Sequence, residues 1–513
     1  MNTALAPLVW RVKVSLTPPS DTDKQADVER LTGALDGNPF YCSLHCPVRI
    51  PLTLARKLPA VLRESGFDLS VVLGWDGTGC RVLSFNPAGL YGIAMDVGST
   101  NVTAQLVDLD SGEVLSTLIS PNPQSIYGAD VLTRMFYAIS NGGESLHKAL
   151  IAGVNGIVED LMADCGANTD DVMAVSIAGN TIMTHFLLNL PVENIPVTPY
   201  VPAIHAPGFV SPGDFGLEVN PEAVVYVFPS TGSYVGGDIV AGILATGLYG
   251  GDTPSALIDV GTNAEIAIGS KDWILVGAGA AGPAFDEGVA DIGKRACPGA
   301  VYAVNIDGAS YAATLKTFGG LPPEGLCGSA MVSLVAELHR VGLIDDRGCF
   351  ISGKAGITTA GTEGDEPAYV LYDDAGGRRL ILSQKDVDNF MRTKAASFTL
   401  FYVLTGTLGL TFGDIERVYV TGALGTGIDP KAAVRLGLIP DFPENRLVFL
   451  DNTSLKGAEA LLLNRHLLDD VRCITSLITY KQMNEDGDFM REFLSACFIP
   501  HSEPGKLKVA GTS

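Results

Sequence analysis

Residues 91–101 read Tyr-Gly-Ile-Ala-Met-Asp-Val-Gly-Ser-Thr-Asn, and residues 256–263 read Ala-Leu-Ile-Asp-Val-Gly-Thr-Asn. In both stretches a short apolar run, typical of a buried strand, ends in Asp-Val-Gly and a hydroxyl residue, and a second apolar run follows. A strand–turn–strand phrase that occurs twice in one chain indicates an internal duplication at the scale of a domain. The sequence therefore predicts two related α/β halves.

Two further turns belong to the same pattern. Residues 417–425, Arg-Val-Tyr-Val-Thr-Gly-Ala-Leu-Gly, predict a third strand that ends in a glycine turn, and residues 174–188 predict a strand, a turn at Asn180 and a helix. Ser383 and Asp386 have the spacing of a helix N-cap.

Such hairpins suit a phosphate chain, because a ligand of this kind needs several converging N–H donors and little side-chain bulk. Hydroxyl residues add donors, whereas the aspartates that precede them would repel phosphate. A divalent cation resolves this conflict. We expect Asp96 and Asp259 to hold Mg²⁺, partly through water, and to position water for catalysis. The residues expected at the phosphates are Gly98, Ser99, Thr100, Asn101, Gly261, Thr262 and Asn263, and those expected at adenosine are Gly422, Ala423 and Gly425.

Composition narrows the class of protein. The chain has 513 residues and a net charge of −23, which argues against nonspecific binding to nucleic acid and to anionic membranes. Residues 395–413 are uncharged but too rich in Ser, Thr and Gly for a membrane span, so a buried helix and turn is favoured. Nine scattered cysteines and the absence of a signal-peptide pattern favour a cytoplasmic protein with reduced thiols.

Clusters of turn-forming residues predict the boundaries of the domains. A small N-terminal α/β domain is expected over residues 1–88, with a strand over 8–16, helices over 22–36 and 52–66, and a hairpin over 68–85. The first half of the duplication is expected over 89–252, the second half with a C-terminal return segment over 253–502, and a flexible tail over 503–513.

The three turns in this order resemble those of the ASKHA superfamily, which includes acetate kinases, sugar kinases, heat-shock chaperones and actin. Two ribonuclease H-like halves around a nucleotide cleft are what this resemblance implies. More narrowly, the chain resembles the ATP-dependent reductive activators of corrinoid proteins. The matching phrases run in family order from about residue 91 to 464, among them YGIAMDVGSTNV, SIAGNTIMTHFLL, LIDVGTNAEIAIG and TSLKGAEALLLN.

The resemblance implies that ATP binding and hydrolysis drive the reduction of a corrinoid protein, a cobalamin methyl carrier of a methyltransferase system, from Co(II) to Co(I). It implies ATP and Mg²⁺ as cofactors and a homodimer as a possible assembly. These activators usually begin with a [2Fe–2S] domain that carries a characteristic cysteine run, and the run is not found in this sequence. We therefore expect no iron–sulfur cluster in this chain and a separate ferredoxin-like electron donor, with a sequence shortened at its start as the alternative.

Alternatives remain at this point. A small-molecule kinase on the same scaffold would need a substrate pocket and a general base near the γ-phosphate, and a noncatalytic nucleotide-gated scaffold would bind without turnover. Cys297 and Cys327 are the candidates for a cluster shared between subunits, as in the dehydratase activators, and Cys42 and Cys46 form a weak metal signal. His185 reads as a core histidine, whereas Asp238 fits helix-dipole compensation and cleft lining equally well.

Overall fold

The computed structural model describes residues 5–36, 47–261, 263–279, 292–294, 297–360, 366–374, 377–422, 425, 427–483 and 487–509. The chain divides into two compact units. The first unit comprises residues 1–245 and 454–476, and the second unit comprises residues 246–453 and 477–513.

The α-helices of the described residues are, in chain order, α1 (Asp27–Asp36), α2 (Leu52–Ala55), α3 (Leu58–Glu64), α4 (Val131–Asn141), α5 (Glu144–Asp164), α6 (Thr181–Leu187), α7 (Pro212–Phe215), α8 (Gly237–Thr246), α9 (Gly328–Arg340), α10 (Gln384–Thr407), α11 (Pro430–Leu436), α12 (Thr453–Leu463), α13 (Leu467–Leu477) and α14 (Phe489–Ala496).

The first unit contains two sheets. A three-stranded antiparallel sheet is formed by β1 (Val9–Ser15), β2 (Asp68–Trp75) and β3 (Cys80–Phe85). A six-stranded sheet in the order β6-β5-β4-β7-β9-β8 is formed by β4 (Tyr91–Val97), β5 (Asn101–Asp108), β6 (Val114–Pro121), β7 (Val172–Gly179), β8 (Gly208–Val210) and β9 (Val224–Val227).

The second unit contains a six-stranded sheet in the order β20-β19-β10-β11-β12-β21 and two three-stranded sheets, β14-β13-β15 and β16-β17-β18. The strands are β10 (Ser255–Val260), β11 (Ala264–Gly269), β12 (Ile274–Gly279), β13 (Ala300–Ile306), β14 (Ala313–Thr317), β15 (Gly325–Leu326), β16 (Ile357–Ala360), β17 (Glu366–Asp373), β18 (Arg379–Ser383), β19 (Val418–Gly422), β20 (Leu447–Phe449) and β21 (Ile478–Gln482).

Five of the six strands in each large sheet repeat one topology, and the sixth strand, β8 or β21, lies at opposite ends of the two sheets. In the first unit, β4 pairs antiparallel with β5 and parallel with β7; in the second unit, β10 pairs antiparallel with β11 and parallel with β19. Each antiparallel arm continues to a third strand, β6 or β12, and each parallel arm continues to β9 or β20. The duplicated α/β fold predicted from the repeated Asp-Val-Gly phrase is confirmed, and both aspartates lie on the central strand of their sheet.

The small N-terminal region differs from the sequence prediction in its helices. The strand and the hairpin form where expected, but the helix predicted over 22–36 begins only at Asp27, because Asp23 accepts hydrogen bonds from Arg30 and from the Gln25 amide and holds a turn there. The helix predicted over 52–66 is two helices, since Pro59 has no N–H to continue a helical ladder and fits only the start of α3.

Helix α10 runs through the core of the second unit. It begins with the predicted cap: the Ser383 hydroxyl accepts from the Asp386 amide and the Asp386 carboxylate accepts from the Ser383 amide. Lys394 in its middle is buried and donates to the carbonyl oxygens of Ala496, Phe498 and Pro500 at 2.6, 2.5 and 2.7 Å. In the described parts of the chain, none of the helices is long and apolar enough to cross a membrane.

Candidate nucleotide site

The first hairpin joins β4 to β5 through Gly98, Ser99 and Thr100. Asp96 lies in β4, one residue before its end, where it pairs with Thr103 of β5. A Cβ atom at Gly98 would lie 2.7 Å from the backbone oxygen of Asn101, closer than atoms of this kind approach, so the tight turn requires glycine.

Two side chains from later in the chain brace this turn. The Asn122 side-chain amide donates to the Gly98 carbonyl at 2.8 Å, and the Asn122 backbone N–H donates to the Thr100 carbonyl at 2.8 Å. The guanidinium of Arg134, which is only 1% exposed, donates to the carbonyls of Ser99 and Gly128 at 2.6 and 2.8 Å. Three successive carbonyls of the turn, at Gly98, Ser99 and Thr100, therefore accept hydrogen bonds from Asn122 or Arg134.

This bracing sets the direction of the amide groups. In a trans peptide the C=O and the following N–H point in opposite directions. The amides of Ser99 and Thr100 therefore point away from Arg134 and Asn122, in the arrangement that binds anions at a backbone nest. Next to them the Asn101 side-chain oxygen is buried and accepts no hydrogen bond from the described residues, so it can accept one from a ligand hydroxyl or from metal-bound water.

Asp96 belongs to a pair of carboxylates. Its Oδ1 accepts a hydrogen bond of 2.8 Å from the Ser454 hydroxyl of α12. Asp238, in the first turn of α8, is half-buried, and its own Oδ1 accepts from the Ile239 amide at 2.8 Å. Burial and then the Asp96 carboxylate raise the pKa of Asp238 to about 7. The structure thus places Asp238 with Asp96, a choice that sequence reasoning left open.

Two carboxylates that repel each other fit a hard divalent cation. Mg²⁺ is usually bound by one or two carboxylates, with water and phosphate oxygens completing its coordination. Among the described residues no group of three or more His, Cys, Asp or Glu side chains is placed to hold a metal by itself. The donor set of Asp96 and Asp238 therefore fits a cation that arrives with the phosphates of a nucleotide.

The second hairpin joins β10 to β11. Asp259 pairs with Glu265 across the antiparallel ladder and with Thr421 across the parallel one, so these side chains share one face of the sheet. The Gly261 amide donates to the Asn263 carbonyl at 2.8 Å and closes the turn. Thr262, which we predicted to bind phosphate, lies outside the described residues.

The third turn approaches the second hairpin within the same unit. Gly422 has φ +72°, and a Cβ atom there would lie 2.4 Å from Oδ1 of Asp259. A Cβ atom at Gly425 would lie 1.9 Å from the carbonyl oxygen of Leu450. Both glycines are thus required by the chain's own packing. Their contact with adenosine stays a prediction, and Ala423 lies outside the described residues.

Three other candidate residues from the sequence, His185, Cys297 and Cys327, lie in the described parts of the chain. His185 is buried, its Nδ1 lies 2.6 Å from the Thr181 carbonyl, and its Nε2 accepts from the Ala203 amide at 3.1 Å, as in a core histidine. Cys327 is buried, with Sγ 3.1 Å from the Ser329 hydroxyl, and Cys297 is half-buried. Cys42 and Cys46 lie outside the described residues.

Sequence reasoning missed Ser454, Asn122 and Arg134 as supports of the first hairpin. Ser454 begins the stretch Ser-Leu-Lys-Gly-Ala-Glu-Ala, in which a hydroxyl residue before Gly457 hints at close packing. A Cβ atom at Gly457 would lie 2.1 Å from the Ala241 carbonyl, so α12 is held tightly against α8. Asn122 and Arg134 carry no local signal of this kind.

Comparison with known proteins gives a consistent result. Three family models together match most of the chain: the linker region of RACo over residues 1–89, the middle region of RACo over residues 91–251, and the C-terminal ASKHA domain of RACo over residues 253–509. A solved reductive activator for corrinoid, iron-sulfur protein is 34% identical, with a TM-score of 0.92 over 98% of this chain and 81% of that chain.

Curated relatives agree. The corrinoid activation enzyme RamQ of Eubacterium limosum is 31% identical over 81% of this chain and 72% of its own length. A Co(II) methylated amine-specific corrinoid protein reductase of Methanosarcina barkeri is 26% identical over 76% of this chain and 73% of its own length. On the strength of these matches, and of two hairpins in the predicted topology, the chain belongs to the RACo family.

Proposed function

We propose that this chain is an ATP-dependent reductive activator, which returns a corrinoid protein from Co(II) to Co(I) with electrons from a separate iron–sulfur protein. The observation that supports the proposal is the first hairpin, where Asn122 and Arg134 hold the Gly98 and Ser99 carbonyls and where the Asp96–Asp238 pair suits a metal-bound phosphate chain. Membership in the RACo family supports the choice of a corrinoid protein as the target.

The residues of each unit have separate tasks. In the first unit, the amides of Ser99 and Thr100 bind phosphate oxygens, and Asp96 and Asp238 hold the cation. In the second unit, Asp259 orients water, the turn at Gly261–Asn263 receives phosphate, and the backbone of the third turn at Gly422 and Gly425 contacts adenosine. When bound, Mg²⁺ neutralises phosphate charge and polarises the bond that is cleaved.

The energetic coupling follows from linkage. ATP can favour Co(I) only if the nucleotide-bound and nucleotide-free states of the chain differ in affinity for the Co(II) carrier. A bias of tenfold requires a difference of about 1.4 kcal/mol in binding free energy. The net charge of −23 favours a carrier surface with lysines and arginines, so the association is expected to weaken as salt rises.

A reconstituted assay tests the proposal. The chain, a Co(II) corrinoid protein from the same organism and a ferredoxin or low-potential reductant are mixed, and Co(I) is followed by its absorption spectrum. We expect ATP to accelerate the appearance of Co(I), and Asp96→Asn to remove the acceleration. The matched control is Asp164→Asn, a change at an exposed position of α5.

The same assay discriminates the kinase alternative. If corrinoid proteins neither bind nor stimulate ATP hydrolysis, while a sugar or carboxylic acid becomes phosphorylated, the activator function is wrong. Loss of acceleration in both variants would also count against the assigned role of Asp96.

A further inference from the structure

One exposed loop of the first unit contains no charge. Residues 194–213 include no Asp, Glu, Lys or Arg, whereas these residue types make up 18% of the whole chain. Val197 and Val201 in this stretch are 59% and 54% exposed. Apolar side chains grouped on an exposed surface usually mark an interaction site. We call residues 194–207, which precede β8, the uncharged loop.

Hydrogen bonds fasten the uncharged loop to the interior of the first unit. The Ala203 amide donates to Nε2 of the buried His185 in α6 at 3.1 Å. The His205 carbonyl accepts from the Ser230 amide at 2.7 Å. A loop that is fixed in this way loses little conformational entropy when a partner binds to it.

Tyr200, near the middle of the loop, has an unusual backbone conformation. Its φ is +62°, a value that bulky side chains rarely adopt. Its amide donates to the Val197 carbonyl at 2.6 Å, and its carbonyl accepts from the Ser233 hydroxyl. Strained conformations of this kind persist where neighbouring contacts enforce them, and they cluster at functional sites. Ser233 therefore helps to fix the position of the exposed Val201, the next residue in the chain.

The residues that fasten the loop adjoin both carboxylates of the first hairpin site. Both anchoring serines belong to residues 228–236, which connect β9 to α8 and so to Asp238. His185 belongs to α6, which follows β7, and β7 pairs with the strand that carries Asp96. The uncharged loop is thus attached to the segments that position the two proposed Mg²⁺ ligands.

Two further contacts join these segments to each other. The Thr181 hydroxyl, at the start of α6, donates to the Gly232 carbonyl at 2.7 Å. A Cβ atom at Gly236 would lie 2.3 Å from Cα of Asn180, so the backbone before α8 packs directly on the backbone after β7. A shift at the beginning of α8 therefore has a short route to the loop.

The chemistry of the loop fits a neutral partner surface. The upper rim of a corrinoid carries methyl groups and carboxamide side chains and is uncharged. Valine and proline side chains of the loop match the methyl groups, and the exposed His205 imidazole can bond a carboxamide, so that docking buries no charge. The net charge of −23 draws basic patches of a carrier to other parts of the chain.

We propose that the uncharged loop binds the exposed corrinoid rim of the Co(II) carrier, and that Thr181 and Ser233 transmit the state of the nucleotide site to this loop. The inference rests on the proposed reductive activation and adds the place of docking to it. Binding of Mg²⁺ and phosphate acts on Asp238, residues 228–236 carry the change to the loop, and the affinity for the carrier changes in turn.

Calorimetric titration of the Co(II) carrier into the full chain tests the docking site. Val201→Lys and Val201→Glu are each expected to weaken binding at least about tenfold, because either charge would be buried against an uncharged rim. Basal ATP hydrolysis should stay at the wild-type level. Leu52→Lys and Leu52→Glu, at a position 66% exposed on α2, are the matched controls and should bind like the wild type.

The pair of opposite charges makes the titration decisive. If Val201→Lys and Val201→Glu change binding in opposite directions, only long-range charge acts at this position and the docking site is wrong. Unchanged binding in both variants would overturn it too, while ATP-dependent formation of Co(I) by the wild type would leave the reductive activation standing. A wild type that binds no carrier and forms no Co(I) would overturn both.

Methyl NMR tests the contact with the corrinoid itself. Co(II) is paramagnetic, so the saturating carrier should broaden the methyl signals of Val197 and Val201 strongly and those of Leu52 only as much as slower tumbling requires. Equal broadening at Leu52 and Val201 would show that another part of the carrier covers the loop, and would overturn the contact with the corrinoid rim.

The transmission is tested by Thr181→Val, which removes the bond to Gly232. We expect the ratio of carrier affinities with and without a nonhydrolysable ATP analogue to fall to about one, because the coupling free energy is lost. Thr405→Val is the matched control, since the buried Thr405 hydroxyl also donates to a carbonyl at 2.7 Å. A wild-type ratio in Thr181→Val, or equal losses in both variants, would refute the transmission.

Discussion

The two hairpins occupy the same position in two sheets that share the topology of five strands, yet different interactions hold each hairpin in shape. In the first, a buried guanidinium and a buried amide hold the carbonyls of the turn from behind. In the second, a backbone bond from Gly261 to Asn263 closes the turn, and the glycine of a neighbouring strand approaches Asp259 so closely that no side chain fits.

The comparison indicates that two copies of a duplicated hairpin can be held in shape by different kinds of interaction. The first hairpin is shaped by polar donors, so its binding surface depends on side chains about 24 and 35 residues away in sequence. The second hairpin depends on the close approach of Gly422 to Asp259, which leaves no space for a side chain at position 422. Substitutions that target each source should therefore have separate effects on binding and turnover.

The largest effect is expected when the central carboxylates are removed. Asp259→Ala should lower kcat for ATP hydrolysis by at least about 100-fold, as is typical when a preorganised charged group at a reacting centre is lost. Asp96→Ala should act similarly, with circular dichroism unchanged. Steady-state hydrolysis measures both, and a near-normal kcat in either variant would remove that aspartate from the site.

A smaller loss is expected from Gly422→Ala. The new methyl group would displace Asp259 and strain a residue with φ +72°, so we expect turnover to fall about 30-fold and stability to fall by about 1 kcal/mol. Gly409→Ala is the control, because Gly409 has φ +67° but open space around its Cβ position. It should lose similar stability and keep wild-type turnover; an equal loss of turnover in both would refute the steric argument.

The bracing of the first hairpin is tested by Arg134→Lys. An ammonium group cannot reach the Ser99 and Gly128 carbonyls together, so we expect KM for ATP to rise about tenfold with a smaller change in kcat. Arg30→Lys is the matched control, since Arg30 is also buried and donates to the Thr17 and Gln25 carbonyls in the N-terminal region. If both variants raise KM equally, the effect is one of general destabilisation.

The smallest expected effect is the contribution of Asp238 to the pH dependence of stability. Its pKa in the folded chain, about 7, lies above the ordinary value of 3.8, so the folded chain retains this proton longer than the unfolded chain does. Stability should therefore fall as pH rises from about 4 to about 7. Because the group is partly exposed, we expect only about 1 kcal/mol from this source.

Asp238→Asn should flatten that dependence, and Mg²⁺ should raise the stability of the wild type, but not of the variant, at pH 8. Urea unfolding at pH 5 and pH 8 provides the measurement. An unchanged slope in the variant would show that another group titrates.

The duplicated fold could be predicted because each Asp-Val-Gly phrase and the apolar runs beside it are local patterns, recognisable from neighbouring residues alone. The N-cap at Ser383 was predictable for the same reason. The supports of the site were not: Ser454 meets Asp96 across 358 residues of sequence, and no local rule encodes that contact. The helix predicted over 52–66 shows a similar limit at short range. The helical spacing of apolar residues continues through this stretch, but Pro59 interrupts the backbone hydrogen bonds.

Strand β6 illustrates another limit. Alternation along β6 would ordinarily predict a strand with one buried face, yet none of its side chains is buried, because it lies at an edge of the sheet. Sequence patterns predict that a strand forms; its neighbours, which only the fold determines, decide what the strand exposes.

The first unit is not synthesised as one continuous segment, because residues of the second unit separate its two parts. Its Asp96 side chain is made early, but Ser454 and the rest of residues 454–476 emerge only after the second unit's residues 246–453. At about 5–20 residues per second, the roughly 200 intervening residues take about 10–40 s to appear. Until α12 has been synthesised, the Ser454 hydroxyl cannot donate to Asp96, so the first unit can be completed only after most of the second unit has been made.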